Sequence, residues 1–211
     1  MPNRFFVTGT DTGVGKTVVS ALLCAALNAI YWKPIQTGSC EGTDRKTVMK
    51  LAGLSRDRTI HEAYEFVPPI SPHLAAARAG VRINLGTIRL PRLAPKDKLI
   101  VEGAGGVLVP INERDLMSDL MKKLELPVVL VSRTALGTIN HTLLSLAALC
   151  AKKIDVRGVV MVGKTNEDNR KAIERYGETH VIGWIPKLAR IDKRALVTVF
   201  RKHFNRKAFG A

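Results

Sequence analysis

Short runs of β-prone residues alternate along this chain with stretches whose apolar residues recur every three or four positions. The β runs are Arg4 to Thr8, Ile30 to Lys33, Lys98 to Glu102, Pro127 to Val131, Arg157 to Val162 and His180 to Ile185. Helical stretches are predicted near 16–29, 44–53, 115–124, 138–152 and 167–177, the first carrying Val19, Leu22, Leu23, Ala26 and Leu27 at helical spacing. Some β runs, such as Val128-Val129-Leu130-Val131, are apolar at every position, as strands buried on both faces must be. Alternation of this kind predicts an α/β fold of three layers, a mostly parallel central sheet flanked by helices. No repeat, low-complexity tract or linker interrupts it, and residues 1–211 are expected to form a single domain. The stretch from Ser55 to Pro95, with prolines at 68, 69, 72 and 91, is the least regular and is expected to carry loops over the active edge.

Between the first β run and the first helix lies Gly9-Thr10-Asp11-Thr12-Gly13-Val14-Gly15-Lys16-Thr17. A triphosphate is gripped by backbone N–H groups that a Cβ would block, and a helix N-terminus adds positive charge. Gly13 and Gly15 meet the first need, and Thr12, Gly13, Val14, Gly15, Lys16 and Thr17 would close round the phosphates. Lys16 is placed to reach the β- and γ-phosphates and the Thr17 hydroxyl to ligate Mg²⁺, as at the end of a Walker A motif. Five residues rather than four separate Gly9 from Gly15. The layered pattern is therefore expected to be a P-loop NTPase-like fold.

In an open parallel sheet ligands bind beyond the carboxyl ends of the strands. Lys33-Pro34-Ile35-Gln36-Thr37-Gly38-Ser39 follows the second β run, and Glu102-Gly103-Ala104-Gly105-Gly106 ends the third. Glu102 stands where such an enzyme needs a metal-binding acid. Asp44, at a predicted helix start, is either a second metal carboxylate or an N-cap.

Composition adds bounds. No apolar stretch reaches transmembrane length, and Arg4 and Asp11 leave no signal-peptide core, so an unprocessed soluble chain is expected, with no membrane partner. Cys24, Cys40 and Cys150 are odd in number and lack metal-ligand spacing, which suits a reducing, cytoplasmic setting. The formal net charge of +15 raises a nucleic-acid surface. Much of it, however, lies from Lys187 onward, where Arg190, Lys193, Arg194, Arg201, Lys202, Arg206 and Lys207 face one acid, Asp192. The reading favoured there is a solvated basic helix with a frayed end, with no nucleic-acid partner.

Together these segments resemble the dethiobiotin synthetase family. The resemblance spans most of the chain and rests on GTDTGVGKT at 9–17, WKPIQTGS at 32–39, Asp44, SPHLAA at 71–76, VEGAGG at 101–106, GTINHTLLS at 137–145 and GWIP at 183–186. The displaced first glycine is itself a feature of that family. The resemblance implies ATP- and Mg²⁺-dependent ring closure of 7,8-diaminopelargonic acid with CO₂, through a carbamate that is phosphorylated and then attacked by the second amine. It implies that Lys16 and Lys33 stabilise charge on phosphoryl and carbamate, that Thr17, Asp44 and Glu102 hold Mg²⁺, and that Thr37 touches the diamine. Gly103, Ala104 and Gly105 would approach the nucleotide, and Gly163, Ile185, Pro186 and Lys187 would lie at its base. A homodimer is implied, with Asn140 binding the substrate carboxylate across the interface. His141 reads as a structural polar residue, and His73 is left open.

Rival readings are a switch ATPase of the ParA or MinD kind, an amidoligase of the cobyrinate kind, and a non-catalytic module. The first lacks its signature lysine early in the loop, the second lacks room for a glutaminase domain, and the third sits badly with Lys16, Thr17, Lys33, Asp44 and Glu102 together. Related enzymes commonly end a strand as Gly-Val-Val-Leu-Asn-Gly, with the asparagine reading adenine; here Gly158-Val159-Val160-Met161-Val162-Gly163 stands instead. The segments 26–31 and 86–98 also look short for the family, and Asn166 reads as a helix cap. Valine makes no hydrogen bond to a base edge, which leaves base identity to backbone groups near Gly163 and the 185–187 loop. Weak discrimination between ATP and CTP or GTP is therefore predicted in steady-state assays, and a strong preference for ATP would refute it.

Overall fold

All six β runs become strands, and all of them lie parallel. The structure, a computed structural model, describes residues 3–211. Along the chain follow β1 (Arg4–Gly9), α1 (Lys16–Leu27), β2 (Ile30–Trp32), β3 (Ile35–Gln36), α2 (Asp44–Ala52), β4 (Thr59–Ile60), β5 (Tyr64–Glu65) and α3 (Pro72–Arg78). Then come β6 (Leu99–Gly106), α4 (Met117–Leu124), β7 (Val128–Arg133), α5 (Thr138–Ala151), β8 (Val156–Val162), α6 (Glu167–Tyr176), β9 (Val181–Ile185) and α7 (Lys193–His203). The main sheet has seven strands in the order β4-β2-β6-β1-β7-β8-β9, with every neighbouring pair parallel. Parallel neighbours need long crossovers, and the helices supply them.

Strand alternation divides the core into two layers. Phe6 points to one face, where it meets Met117, Leu120, Leu146 and Ile173 of α4, α5 and α6. Phe5 and Val7 point to the other, where Val19, Leu22 and Leu23 of α1 meet Val48 of α2 and Leu196 and Phe200 of α7. From β1 the chain passes to β2 and β4, returns through β6, then crosses β1 to β7, β8 and β9. The loops after β1 and β6 thus open side by side at the carboxyl ends of the strands, where a crevice forms.

Three short strands escape the sequence pattern. β4 edges the main sheet, and β3 and β5 pair with each other in a two-stranded ladder. Two-residue strands carry no readable period. They give the irregular 55–95 region its frame, and Pro69 to Pro72 border a crevice cavity, as expected of loops over that edge.

The basic C-terminal helix forms, but its end is not frayed. The side chain of Asp192 caps it by accepting from the Ala195 N–H at 2.9 Å. Leu196 and Phe200 are buried, and Phe209 is 0% exposed. The Phe209 ring lies 5.4 Å from Phe5, 5.9 Å from Phe200 and 6.0 Å from Phe204. Arg157 Nε, donating to the Ala208 carbonyl at 2.6 Å, ties down the same segment. Charge patterning is blind to this, because the few aromatics that dock the tail sit among many lysines and arginines that remain in water. Among the described residues no helix is long and apolar enough to cross a membrane. Phe209→Ala is expected to cost about 3–5 kcal/mol in urea unfolding, and truncation after Ile191 to leave a chain without a cooperative transition.

Candidate active site

The phosphate loop takes its shape from its glycines. Gly15 sits at φ +104, a region that L side chains avoid, and a Cβ there would press on the Val162 side chain at 3.2 Å. A Cβ on Gly9 would meet Val14 at 2.6 Å. Gly15 caps α1 without a side-chain bond. Among the described residues the N–H groups of Gly13, Val14 and Gly15 have no acceptor, and those of the first helical turn have none within the helix. This concave row of donors suits a polyanion. Thr12 N–H is the exception, donating to Asp11 Oδ1 at 2.7 Å. Asp11 in turn pairs with Arg133 at 2.9 Å, a half-exposed contact that orients the loop more than it stabilises it.

Four elements bring their polar side chains to one point beside this loop. In the β2–β6 register Ile30 lies opposite Leu99, Tyr31 opposite Ile100 and Trp32 opposite Val101, so Lys33 comes level with Glu102. Lys33 Nζ donates to Glu102 Oε1 at 3.3 Å and to the Gly103 carbonyl at 3.3 Å, and pairs with Asp44 Oδ2 at 2.9 Å. The Thr17 hydroxyl lies 2.7 Å from Asp44 Oδ1 and 3.0 Å from Glu102 Oε1. Lys33 and Glu102 are 4% and 1% exposed. Burial alone would depress the Lys33 ammonium, but Glu102 and Asp44 overrule it and hold its pKa above the ordinary value. Burial would likewise raise the Asp44 carboxyl, and Lys33 with the Thr17 hydroxyl brings it below the usual range.

Asp44 does not cap its helix. The Thr43 side chain does so, accepting from the Lys46 N–H at 3.3 Å, which frees the Asp44 carboxylate to face Thr17 and Lys33. Asn166 does cap, taking the Asn169 N–H at 2.9 Å.

Lys16 folds back to donate to the Asp11 carbonyl at 2.8 Å. Burial, followed by repulsion from Lys33, lowers its pKa to about 8.

Two adjoining cavities flank the cluster. One, of about 340 Å³, is bounded by Gly13, Gly15, Lys16, Thr17, Lys33 and Glu102. The other, of about 500 Å³, is bounded by Gln36, Glu41, Ser71 and Ile70. Thr12, Thr37, Asp44, Ala104 and Gly105 line both. The structure thus gathers most of the candidate residues around one crevice. Val14 is buried beneath the loop, and a Cβ on Gly103 would strike Phe6, so neither side faces the cavities. Asn140 lies exposed at the start of α5, away from both, and neither His73 nor His141 lines them. Gly163, Ile185, Pro186 and Lys187 lie beyond Val162, which touches the loop at Gly15. The Gly163 N–H already donates to the Ile185 carbonyl at 3.0 Å, and its own carbonyl accepts from Trp184 Nε1 at 2.8 Å.

Two buried residues escaped the sequence reading. Gln36 accepts the Asp44 N–H at 3.0 Å and donates to the Thr37 carbonyl at 2.6 Å, which fixes both relative to each other. Tyr31 donates its phenol to Glu102 Oε2 at 3.0 Å, and burial followed by the Glu102 charge pushes its pKa well up. The signal for Tyr31 is its place two residues before Lys33, on the same strand face.

The donor set of Thr17, Asp44 and Glu102 consists of hard oxygens, the kind that Mg²⁺ takes from a protein while keeping water and phosphate as its other ligands. Among the described residues no group of three or more His, Cys, Asp or Glu side chains is placed to hold a metal ion by itself.

A family model described as an AAA domain matches residues 3–195. The chain is 46% identical over 205 residues to the ATP-dependent dethiobiotin synthetase BioD of Agrobacterium fabrum, covering 97% of this chain and 96% of that one. It is 46% identical over 200 residues to the synthetase of the same name from Novosphingobium aromaticivorans, covering 95% and 96%. It is also 51% identical over 196 residues to the biotin biosynthesis bifunctional protein BioCD of Bordetella avium, covering 92% of this chain and 42% of that longer one. The solved structure of chloroplast FtsY from Physcomitrella patens matches with a TM-score of 0.51 at 12% identity, covering 94% of this chain and 65% of that one, a likeness of fold alone.

The lowered Lys16 pKa carries a pH signature. Between pH 8 and 10.5 the unfolded chain keeps a proton on this lysine that the folded chain has lost, so the contribution of Lys16 to stability grows with pH across that window, against the raised Cys24 thiol, whose contribution falls above pH 9. Lys16→Met removes the group, and the difference between the parent's and the variant's unfolding free energy in urea is expected to shift in the parent's favour as pH rises from 8 to 10.5.

Proposed function

The chain belongs to the dethiobiotin synthetase family, and on that premise we propose that it turns 7,8-diaminopelargonic acid, CO₂ and ATP into dethiobiotin, ADP and phosphate. The observation that carries this reading is the convergence of Lys16, Lys33, Thr17, Asp44 and Glu102 on a cavity of about 340 Å³ that shares Thr12, Thr37, Asp44, Ala104 and Gly105 with the one beside it. One substrate amine bonds to the carbon of CO₂ and loses a proton, giving a carbamate. A carbamate oxygen attacks the γ-phosphorus and the bond to ADP breaks. The second amine then attacks the carbamoyl carbon, the bond to phosphate breaks, and the ureido ring closes with loss of a proton.

No covalent bond to the protein is needed, so this chain contributes position and charge. The free N–H groups at Gly13, Val14 and Gly15 bind the triphosphate. Lys16 leaves the Asp11 carbonyl for phosphate oxygens. Lys33, which lines the smaller cavity beside Thr17, faces the negative charge shared by carbamate and phosphoryl group. Thr37, oriented through Gln36, bounds both cavities where the diamine and the γ-phosphate meet. Thr17, Asp44 and Glu102 would hold Mg²⁺, which would neutralise charge on the transferred group.

The same reading makes the active molecule a homodimer. Leu136, Leu144 and Leu108 are exposed at 105%, 62% and 54%, and Asn140 lies between the first two in sequence, at the start of α5. A second copy seated on this face would cover those leucines and carry Asn140 to the neighbouring diamine cavity, where its amide can hold a carboxylate.

Phosphate release from ATP with Mg²⁺ and bicarbonate is the test. Release is expected to depend on the diamine, to fall by about a hundredfold or more in Lys16→Ala, and to need more diamine for half-saturation in Asn140→Ala. Release indifferent to the diamine would overturn the reading.

A further inference from the structure

Glu102 is anchored at both oxygens by different kinds of partner. Oε1 meets Thr17 and Lys33, which face the phosphate cavity. Oε2 turns the other way, toward the core between the sheet and α1, and takes the Tyr31 phenol at 3.0 Å, its one donor among the described residues. Tyr31 is 0% exposed and packs in the layer that holds Val7, Leu22, Leu23 and Ile100. A phenylalanine would fill that space equally, as Phe5 does in the same layer. A hydroxyl taken into an apolar core is unfavourable unless it finds a partner, and this one has only the carboxylate. The register explains the meeting, since Tyr31 lies opposite Ile100 and two residues on, along the same faces, come Lys33 and Glu102.

We propose that Tyr31 is a positioning residue that holds Glu102 by its rear oxygen, so that the front oxygen is presented beside Thr17 to the Mg²⁺ of the nucleotide complex. The inference rests on the reading of Glu102 as a metal-binding carboxylate. A carboxylate with one oxygen pinned is restrained from rotating, so the phenol keeps the other oxygen beside Thr17 and Lys33.

The test is Mg²⁺ titrated into the ATP-loaded protein without the diamine, followed by calorimetry. In Tyr31→Phe the Mg²⁺ concentration for half-saturation is expected to rise about tenfold, while ATP binding in EDTA stays within about twofold of the parent. In a Glu102→Gln background the same substitution is expected to change Mg²⁺ binding no further. A Tyr31→Phe protein with a lowered melting temperature but the parent's Mg²⁺ half-saturation overturns the proposal and leaves Tyr31 as packing. A parent protein whose ATP binding ignores Mg²⁺ overturns the metal site and the proposal together. Fluorotyrosine labelling gives a readout without altering Tyr31. The chain has three tyrosines, so Tyr64→Phe and Tyr176→Phe assign the Tyr31 ¹⁹F resonance by elimination. That resonance is expected to move when Mg²⁺ joins ATP and not with ATP in EDTA, and an unmoved resonance counts against the proposal.

Discussion

A buried ammonium held between two carboxylates sets the terms for the rest of this molecule. Lys33, Asp44 and Glu102 come from the end of β2, the start of α2 and the body of β6, and removing such charges from water costs several kcal/mol for each ion. The cost is offset only when all three meet with good geometry and their remaining oxygens are satisfied. Thr17 and Tyr31 satisfy them. The β2–β6 register, the first turn of α1 and the first turn of α2 must therefore agree to within a hydrogen bond. Thr43 and Gln36 take the helix-end duties that would otherwise draw Asp44 away.

The same cluster explains why catalytic and structural demands fall on separate layers. The α4–α6 side of the sheet is an apolar packing of leucines, methionines and isoleucines with few buried charges. The α1 side carries the phosphate loop and the ion cluster at one end, and α7 with its phenylalanines covers the rest. The tail's lysines and arginines are the wet face of that cover.

Legibility followed the range of the interaction. The six strands of the sequence pattern were readable because burial on both faces leaves uninterrupted apolar runs such as Val128 to Val131, and the phosphate loop because its glycines, lysine and threonine fall within five residues. Asn166 was readable as a cap because a cap is local. The two-residue strands β3, β4 and β5 were not, since their pairing is decided by partners that hold them in place rather than by any period of their own. Nor was the docking of Phe209, which is one aromatic in a basic stretch until Phe5, at the other end of the chain, gives it a surface.

What the sequence by itself determined was the layered α/β plan and the glycine loop with most of the side chains that gather at the crevice, because backbone periodicity and glycine-dependent loops are properties of neighbouring residues. Only the tertiary structure decided which oxygen of Glu102 faces the cavity, that Thr43 rather than Asp44 caps α2, and that the Gly163 backbone is already engaged. Each of these depends on a strand register or a loop packing between residues far apart in the chain. Distances of a few tenths of an ångström there choose between a hydrogen bond made and one left unmade, and no local pattern encodes that choice.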